Sequence, residues 1–252
     1  MTRASTIALL RLWLMAALLA IPACGATPGP DYPAGPRILF IGNSLTYEDS
    51  LGLRVAQVLA QFGDSAVYTR TVGFPDFSLE DHWNEGTAPR LLRDERWDFV
   101  VLQQGPSSVP ENQLYLAAWT RQFAPLIRAA GGEPVLFQVW PSLRDTARFA
   151  LVDQSYRAAA DSVDGLYAPA GNAWHRLLDT NYPLGAELYE VDAFHPTPMG
   201  TYLAAVVIAA RIRGMQPDHL PAEAPGLTLP AGTVRTLQRA AQWALDHAPA
   251  HP

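Results

Sequence analysis

The stretch Arg37–Thr46, which reads RILFIGNSLT, decides the fold of this chain. Its first part, Ile38–Ile41, is an uninterrupted apolar run, which is typical of a strand buried on both faces of a parallel sheet. Glycine, asparagine and serine follow directly, so the strand is expected to end there. Apolar residues at helical spacing then begin at Leu51. The sequence therefore predicts a buried strand that leads through a polar turn into a helix, which is the start of a βαβ unit.

The same alternation continues over the rest of the chain. It predicts further strands at 66–72, 98–102, 135–140 and 165–169, and helices at 51–62, 111–130, 147–163, from 198 onward and at 233–247. Pro125 is expected to kink or divide its helix. Strands that alternate with helices favour right-handed crossovers and a parallel sheet covered on both faces. In such α/β folds the functional groups gather beyond the carboxyl ends of the strands.

Composition limits the classes of protein that fit. The chain has 252 residues, 49% of them hydrophobic and 17% charged, which suits one globular domain with a sizeable core. A formal net charge of −6 argues against a protein that binds nucleic acid. The single cysteine, Cys24, excludes an internal disulfide and a thiolate metal cluster.

The N-terminus has the features of a targeting segment. Arg3 and Arg11 precede the apolar run 12–21, which is too short to span a bilayer. The run ends in Ile-Pro-Ala-Cys-Gly, which resembles a bacterial lipobox with Cys24 as the lipidated residue; ordinary cleavage after Ala26 is the alternative. We expect a signal peptide at 1–24, a Pro/Gly tether at 25–36 and one domain at 37–252, located in the bacterial cell envelope as a lipid-anchored, periplasmic or secreted protein.

Two short motifs carry groups suited to nucleophilic catalysis. Ser44 directly follows the first buried strand, where nearby backbone N–H groups can bind an oxyanion; alternatively it only caps the next turn. Asp192 and His195 are three residues apart, so the carboxylate could orient the histidine as a general base. Without further evidence, this pair fits equally simple roles as a turn aspartate and a surface histidine. The rival base is His82, within Glu-Asp-His-Trp at 80–83.

Together these motifs resemble the SGNH (GDSL-type) hydrolases over about 37–213. Gly-Asn-Ser-Leu-Thr at 42–46 is similar to their first block and Asp-x-x-His at 192–195 to their last, in the same order. The resemblance implies a three-layer α/β/α, flavodoxin-like fold with a parallel sheet of about five strands. It also implies that Ser44 is the nucleophile, His195 the base and Asp192 its partner, and that the Ser44 and Gly73 N–H groups serve the oxyanion hole.

One block departs from this family. These hydrolases commonly place Gly-x-Asn-Asp after the third strand and use the asparagine as a third oxyanion donor, whereas this chain has Gln-Gln-Gly-Pro-Ser at 103–107. Some SGNH carbohydrate esterases carry a Gln-Gly pair here, which favours Gln104 as the donor. Gln103 and Ser107 remain alternatives, and both glutamines could instead only satisfy backbone groups at the strand end.

Several aromatic residues are expected near the same edge of the sheet and could form a sugar-stacking wall, although aromatic side chains are more often core. They are Phe74, Phe77, Trp83, Trp140 and Phe194.

The resemblance implies an exported serine esterase that cleaves a small acyl ester, such as acetyl on a carbohydrate or cell-envelope component. Its partner would be a small-molecule or glycan ester, and lipidated Cys24 would add a membrane tether. The chemistry needs no metal or other cofactor, and the oligomeric state is left open. The alternatives are a lipid or thioester acyl hydrolase, and a catalytically silent envelope-binding domain of the same fold.

Overall fold

The computed structural model describes residues 35–64 and 66–248. The predicted signal peptide, Cys24 and almost all of the predicted tether lie outside these residues. None of the helices in the described part of the chain is long and apolar enough to cross a membrane.

Five parallel strands form one sheet in the order β2-β1-β3-β4-β5. In the central β1 every residue is buried, as its apolar run predicts. The strands are β1 Arg37–Gly42, β2 Tyr68–Gly73, β3 Phe99–Leu102, β4 Glu133–Phe137 and β5 Leu166–Ala168.

Ten α-helices connect and cover these strands within the described residues. They are α1 Ser44–Tyr47, α2 Leu51–Gln61, α3 Leu79–Glu85, α4 Thr87–Asp94, α5 Pro110–Ala129, α6 Phe149–Asp161, α7 Ala170–Thr180, α8 Tyr182–Ala186, α9 Pro198–Arg213 and α10 Ala231–Asp246. Short 3₁₀ turns occupy Glu48–Ser50, Leu143–Arg148 and Pro217–His219.

The helices form two layers. Helix α2 packs against α9, and α9 and α7 pack against α10. Helix α5 packs against α4 and α6. Because β2 and β3 lie on opposite sides of β1, right-handed crossovers place α2 and the helices that follow β2 on opposite faces of the sheet. The predicted three-layer α/β/α fold with a five-stranded parallel sheet is confirmed.

Helix α9 is the most deeply buried helix in the described part of the chain. Every residue from Gly200 to Ala210 is buried. Its many alanines allow close approach of the sheet on one side and of α2, α7 and α10 on the others. The start of this helix is thereby fixed, and the Asp192–His195 turn lies directly before it.

One strand end was predicted wrongly. The predicted strand 135–140 ends at Phe137, because its neighbour β5 stops at Ala168 and the Gln138 N–H to Ala168 carbonyl bond is the last between them. Helix α5 is not divided at Pro125 and continues through it.

Candidate active site

The turn after β1 presents Ser44 at the carboxyl edge of the sheet. Ser44 is the first residue of α1, so its N–H has no acceptor within the helix. Asn43 caps this helix: its side-chain oxygen accepts from the Leu45 N–H at 3.2 Å, and its carbonyl accepts from the Thr46 N–H at 2.8 Å. The cap fixes the direction in which α1 leaves the strand and leaves the Ser44 side chain at the surface of a cavity described below.

Gly42 has no room for a side chain. A Cβ atom at this position would lie 2.3 Å from Thr46 Oγ1 and 2.4 Å from Gln103 Oε1. Real Cβ contacts do not reach these distances, so the close packing of this turn requires glycine.

Gln103 is enclosed by the same turn. Its Oε1 accepts from the Asn43 N–H at 2.9 Å and from Thr46 Oγ1 at 2.7 Å, while its Nε2 donates to Asn43 Oδ1 at 2.9 Å. The side chain is fully buried, and Nε2 donates its other proton to the Gln104 carbonyl, so both amide protons are used. Gln103 therefore supports the backbone around Ser44 and is removed as a candidate oxyanion donor.

The Asp192–His195 turn is held by its own backbone. Asp192 Oδ1 accepts from the Phe194 N–H at 2.9 Å and from the His195 N–H at 3.0 Å. Ala193, between them, has a positive φ of 64°. This compact turn directs both side chains to the same side.

The loop after β4 fixes that turn from behind. Trp140 is fully buried, stacks on Trp174 with ring centroids 3.5 Å apart, and donates its indole N–H to the Phe194 carbonyl at 3.0 Å. The Ser142 hydroxyl and the Leu143 N–H both donate to the Ala193 carbonyl at 2.9 Å. The position of the turn is therefore set by the core of the domain.

The two predicted motifs meet in the structure. Ser44 Oγ lies 2.9 Å from His195 Nε2, and His195 Nδ1 lies 2.5 Å from Asp192 Oδ2. Hydrogen bonds from His195 and Phe194 lower the pKa of Asp192 to about 2, so this carboxyl is ionised at neutral pH. An ionised carboxylate favours the imidazole tautomer with its proton on Nδ1, which leaves Nε2 free to accept the serine proton.

His82, the rival base, does not fit that role. Its Nε2 lies 2.9 Å from the Gly42 carbonyl oxygen, and only an Nε2–H can form that bond. Its other ring nitrogen is buried without a hydrogen-bond partner in the described part of the chain. Burial lowers the pKa of His82 and so favours the neutral ring. The structure therefore favours His195 as the base.

A cavity of about 370 Å³ opens beside Ser44, and both polar and apolar groups line it. It is lined by Asn43, Ser44, Asp76, Phe77, Ser78, Gln104, Gly105, Pro106, Ser107, Asn112, Tyr115 and Phe194.

Gln104 and Ser107 lie together in this cavity. Gln104 Oε1 accepts from the Leu79 N–H at 3.2 Å, and its Nε2 donates to Ser107 Oγ at 2.9 Å. The Ser107 hydroxyl in turn donates to the Gly105 carbonyl at 3.1 Å. A primary amide has two N–H groups, so one remains for a ligand in the cavity. This arrangement suits Gln104 as a donor and Ser107 as its support.

Gly73 is placed differently from Ser44 and Gln104. It ends β2 in register with Gly42, against the ring of Tyr47, and is not among the residues that line the cavity. The Phe74 N–H donates to the Gly42 carbonyl, so by strand alternation the Gly73 N–H points away from β1. The cavity wall after β2 is formed instead by 76–78, and an oxyanion role for Gly73 stays a prediction.

The predicted aromatic wall is smaller than expected. Phe77 and Phe194 line the cavity, but Trp140 belongs to the core. Trp83 packs edge-on against Phe123, with ring centroids 5.2 Å apart. Phe74 lies behind Phe77 and does not line the cavity.

Some residues of the site were not found from the sequence. Glu48 Oε1 lies 3.7 Å from His195 Nε2. Asp76 lines the cavity with a positive φ of 58°, and Asn112 and Tyr115 contribute from the start of α5. Ser78 was detectable, because Ser-x-x-Asp at 78–81 is the sequence of a helix capping box, which the structure contains.

Known structures share this architecture. A candidate SGNH hydrolase from Slackia heliotrinireducens is 25% identical, with 71% of this chain and 99% of that chain covered and a TM-score of 0.58. A DUF4886 family protein from Bacteroides uniformis is 18% identical, with 84% of this chain and 95% of that chain covered and a TM-score of 0.66. Axe2, an acetylxylan esterase from Geobacillus stearothermophilus, is 19% identical, with 71% and 95% covered and a TM-score of 0.51. No protein-family model and no curated protein matches the sequence.

The fold and site define the class of protein. A three-layer α/β/α domain presents a serine after β1 and an Asp-x-x-His turn before a late helix, all at the carboxyl edge of the sheet. Together with the structural likenesses, this gives the chain the three-layer fold of the SGNH hydrolases.

Proposed function

We propose that this protein is a serine esterase that removes a small acyl group, such as acetyl, from a carbohydrate or another neutral alcohol. The observation that carries the proposal is the continuous hydrogen-bond chain from Ser44 Oγ through His195 to Asp192. That chain connects a nucleophile, a base and a carboxylate in the order that acyl transfer requires.

In the proposed reaction Ser44 Oγ attacks the acyl carbon while His195 Nε2 takes its proton. Asp192 stabilises the imidazolium that forms. The carbonyl oxygen becomes negative and is bound by the Ser44 N–H and the free Gln104 N–H, with Gly73 as a further candidate. The C–O bond to the alcohol then breaks, and the leaving oxygen receives the proton from His195. Water, deprotonated by His195, hydrolyses the acyl-enzyme and restores Ser44.

The cavity favours a small, polar substrate over a lipid chain. Its volume of about 370 Å³ is near the lower end for small-molecule sites. Eight of the twelve lining residues carry hydroxyl, amide or carboxylate groups, which can form hydrogen bonds with sugar hydroxyls but not with methylene chains. Phe77 and Phe194 offer aromatic faces on which a sugar ring can stack. The acetylxylan esterase activity of the structural neighbour Axe2 agrees with this substrate class.

Active-site labelling and a substrate series test the proposal. A fluorophosphonate probe should label the wild-type protein and fail to label Ser44→Ala. Acetylated sugars and short p-nitrophenyl esters should be hydrolysed faster than long-chain esters. A folded Ser44→Ala variant with wild-type hydrolysis would disprove the mechanism. An unlabelled, inactive wild-type protein would instead favour an envelope-binding domain.

We also propose that the protein acts in the cell envelope, on the basis of the N-terminal sequence. Palmitate should label the protein in a Gram-negative host, and Cys24→Ser should abolish the label. A soluble, unlabelled mature protein that begins at Thr27 would establish ordinary signal cleavage.

A further inference from the structure

Two buried side chains bind the Gly42–Asn43 peptide, which lies one residue before Ser44. The carbonyl of the Gly42–Asn43 peptide accepts from His82 Nε2 at 2.9 Å. The N–H of the same peptide donates to Gln103 Oε1 at 2.9 Å. Both side chains are fully buried, one from α3 and one from the segment after β3. This peptide plane is therefore fixed at both ends by elements outside the nucleophile turn.

The bond from His82 is the shorter of two that reach this carbonyl. The Phe74 N–H also donates to the Gly42 oxygen, at 3.3 Å, which is longer than the usual range for such bonds. The sheet ladder is thus weak at the last residue of β1. His82 supplies a better donor at the point where strand geometry no longer fixes the chain.

The surroundings of His82 are otherwise suited to an apolar side chain. Its ring packs against Phe74 and Phe77, with centroids 5.9 and 5.2 Å away. Its Nδ1 is buried without a partner in the described part of the chain. An unsatisfied buried polar atom typically costs about 1–3 kcal/mol. A phenylalanine would fill this space without that cost, so the distinctive contribution of the imidazole is its Nε2–H.

Helix α3 connects this bond to the opposite side of the site. Its first N–H, from Leu79, donates to Gln104 Oε1 at 3.2 Å. Just before the helix, the Phe77 carbonyl accepts from Asn43 Nδ2 at 3.4 Å. The helix start is fixed by the Ser78–Asp81 capping box. One short helix therefore contacts both the nucleophile turn and the candidate oxyanion donor.

We propose that His82 is a positioning residue, which together with Gln103 fixes the Gly42–Asn43 peptide and so holds Ser44 Oγ in line with His195. The inference rests on the proposed role of Ser44 as the nucleophile. Displacement of a reacting atom by about 1 Å can cost as much as 10²-fold in rate, so a looser turn should reduce catalysis without loss of the fold.

The test compares His82→Phe, which lacks the donor, with His82→Gln, whose side-chain amide can replace Nε2–H. In His82→Phe we expect kcat and the rate of fluorophosphonate labelling to fall about tenfold or more, while KM changes by less than about twofold. The melting temperature should change little, because removal of the unpartnered Nδ1 offsets loss of the hydrogen bond to the Gly42 carbonyl. His82→Gln should recover most of kcat. His175→Phe is the control: His175 lies in α7 and stacks on Phe149 of α6, so this substitution should leave kcat unchanged.

Two results would overturn the proposal. One is a folded His82→Phe protein with wild-type kcat. The other is an equal loss of kcat in both variants together with a lower melting temperature, which would show a packing role. Failure of the proposed function is separate, because Ser44→Ala would then retain activity regardless of His82.

Discussion

Ser44 Oγ and His195 Nε2 lie 2.9 Å apart although 151 positions separate them in the chain. Neither residue reaches the other through local structure. Ser44 is placed by the end of β1 and the cap of α1, whereas His195 is placed by a turn fixed to Trp140 and the Trp174 stack. The distance between the two side chains therefore depends on how the sheet and its helices pack.

Asp192→Asn should reduce kcat strongly without unfolding the protein. The side chain is about half exposed, so its loss affects the core little. An asparagine can donate to Nδ1 and so stabilise the wrong imidazole tautomer, a change that can cost up to about 10⁴-fold in kcat. Steady-state kinetics with a short ester will measure the effect. A variant with near wild-type kcat would show that Asp192 does not orient the base.

The pH–rate profile should show no titration of Asp192 between pH 4 and pH 8. Hydrogen bonds lower the pKa of Asp192 to about 2, so this carboxyl stays ionised over that range and continues to orient His195. The measurement is kcat/KM across that range. A carboxyl-like titration above pH 4 that disappears in Asp192→Asn would contradict this assignment.

Gln104→Ala should lower kcat more than Ser107→Ala does. Loss of one oxyanion donor typically costs about 10²–10³-fold in kcat, because no other group is oriented to replace it. Ser107→Ala removes only the hydroxyl that accepts from Gln104 Nε2, so its effect should be smaller. Both variants are to be compared on one acetyl ester, with KM as the second readout. A large loss in Ser107→Ala alone would remove Gln104 from the oxyanion hole.

Glu48→Gln should improve hydrolysis of anionic esters. The Glu48 carboxylate lies 3.7 Å from His195 Nε2, and Asp76 adds negative charge to the cavity. A unit charge at about 4 Å in water contributes about 1 kcal/mol, roughly fivefold in kcat/KM. The readout is kcat/KM for p-nitrophenyl hemisuccinate relative to p-nitrophenyl butyrate, at low and high salt. Asp218→Asn, in the Pro217–His219 turn, is the control. An unchanged ratio in Glu48→Gln would show that the carboxylate does not select substrates.

His82 should make the native state sensitive to mild acid. Burial lowers the pKa of His82 below its ordinary value of 6.5, so the unfolded chain binds a proton that the native state does not. Its contribution therefore destabilises the fold as pH falls below about 6.5, although Asp81 and Glu85 oppose the shift. Urea unfolding measures the free energy of unfolding at pH 7.5 and at pH 5. Between these two pH values, His82→Phe should lose less of this free energy than the wild type does. An equal decrease in the free energy of unfolding in both proteins would show that His82 does not cause the sensitivity to acid.

Much of the fold could be predicted from the sequence because it depends on local patterning. Buried strands such as Ile38–Ile41 are marked by short apolar runs, and the alternation with helices restricts the topology to a few arrangements. The end of β4 could not be predicted, because it depends on where the neighbouring β5 stops. Pairing between strands is a tertiary property that an apolar run does not encode.

The sequence by itself determined the α/β class, because strands and helices leave local patterns, and its resemblance to the SGNH hydrolases indicated Ser44, Asp192 and His195 as candidate catalytic residues. Only the tertiary structure decided the roles of their neighbours. Strand alternation predicts opposite directions for Gln103 and Gln104, but β3 ends at Leu102 and both side chains turn toward the site. The sequence indicated His82 as a candidate base, but the structure shows it as a buried hydrogen-bond donor. The Gly42 carbonyl accepts from its Nε2, so the proton of the buried ring lies on that nitrogen. Hydrogen-bond partners and burial arise from segments distant in the chain, so packing alone could assign these roles.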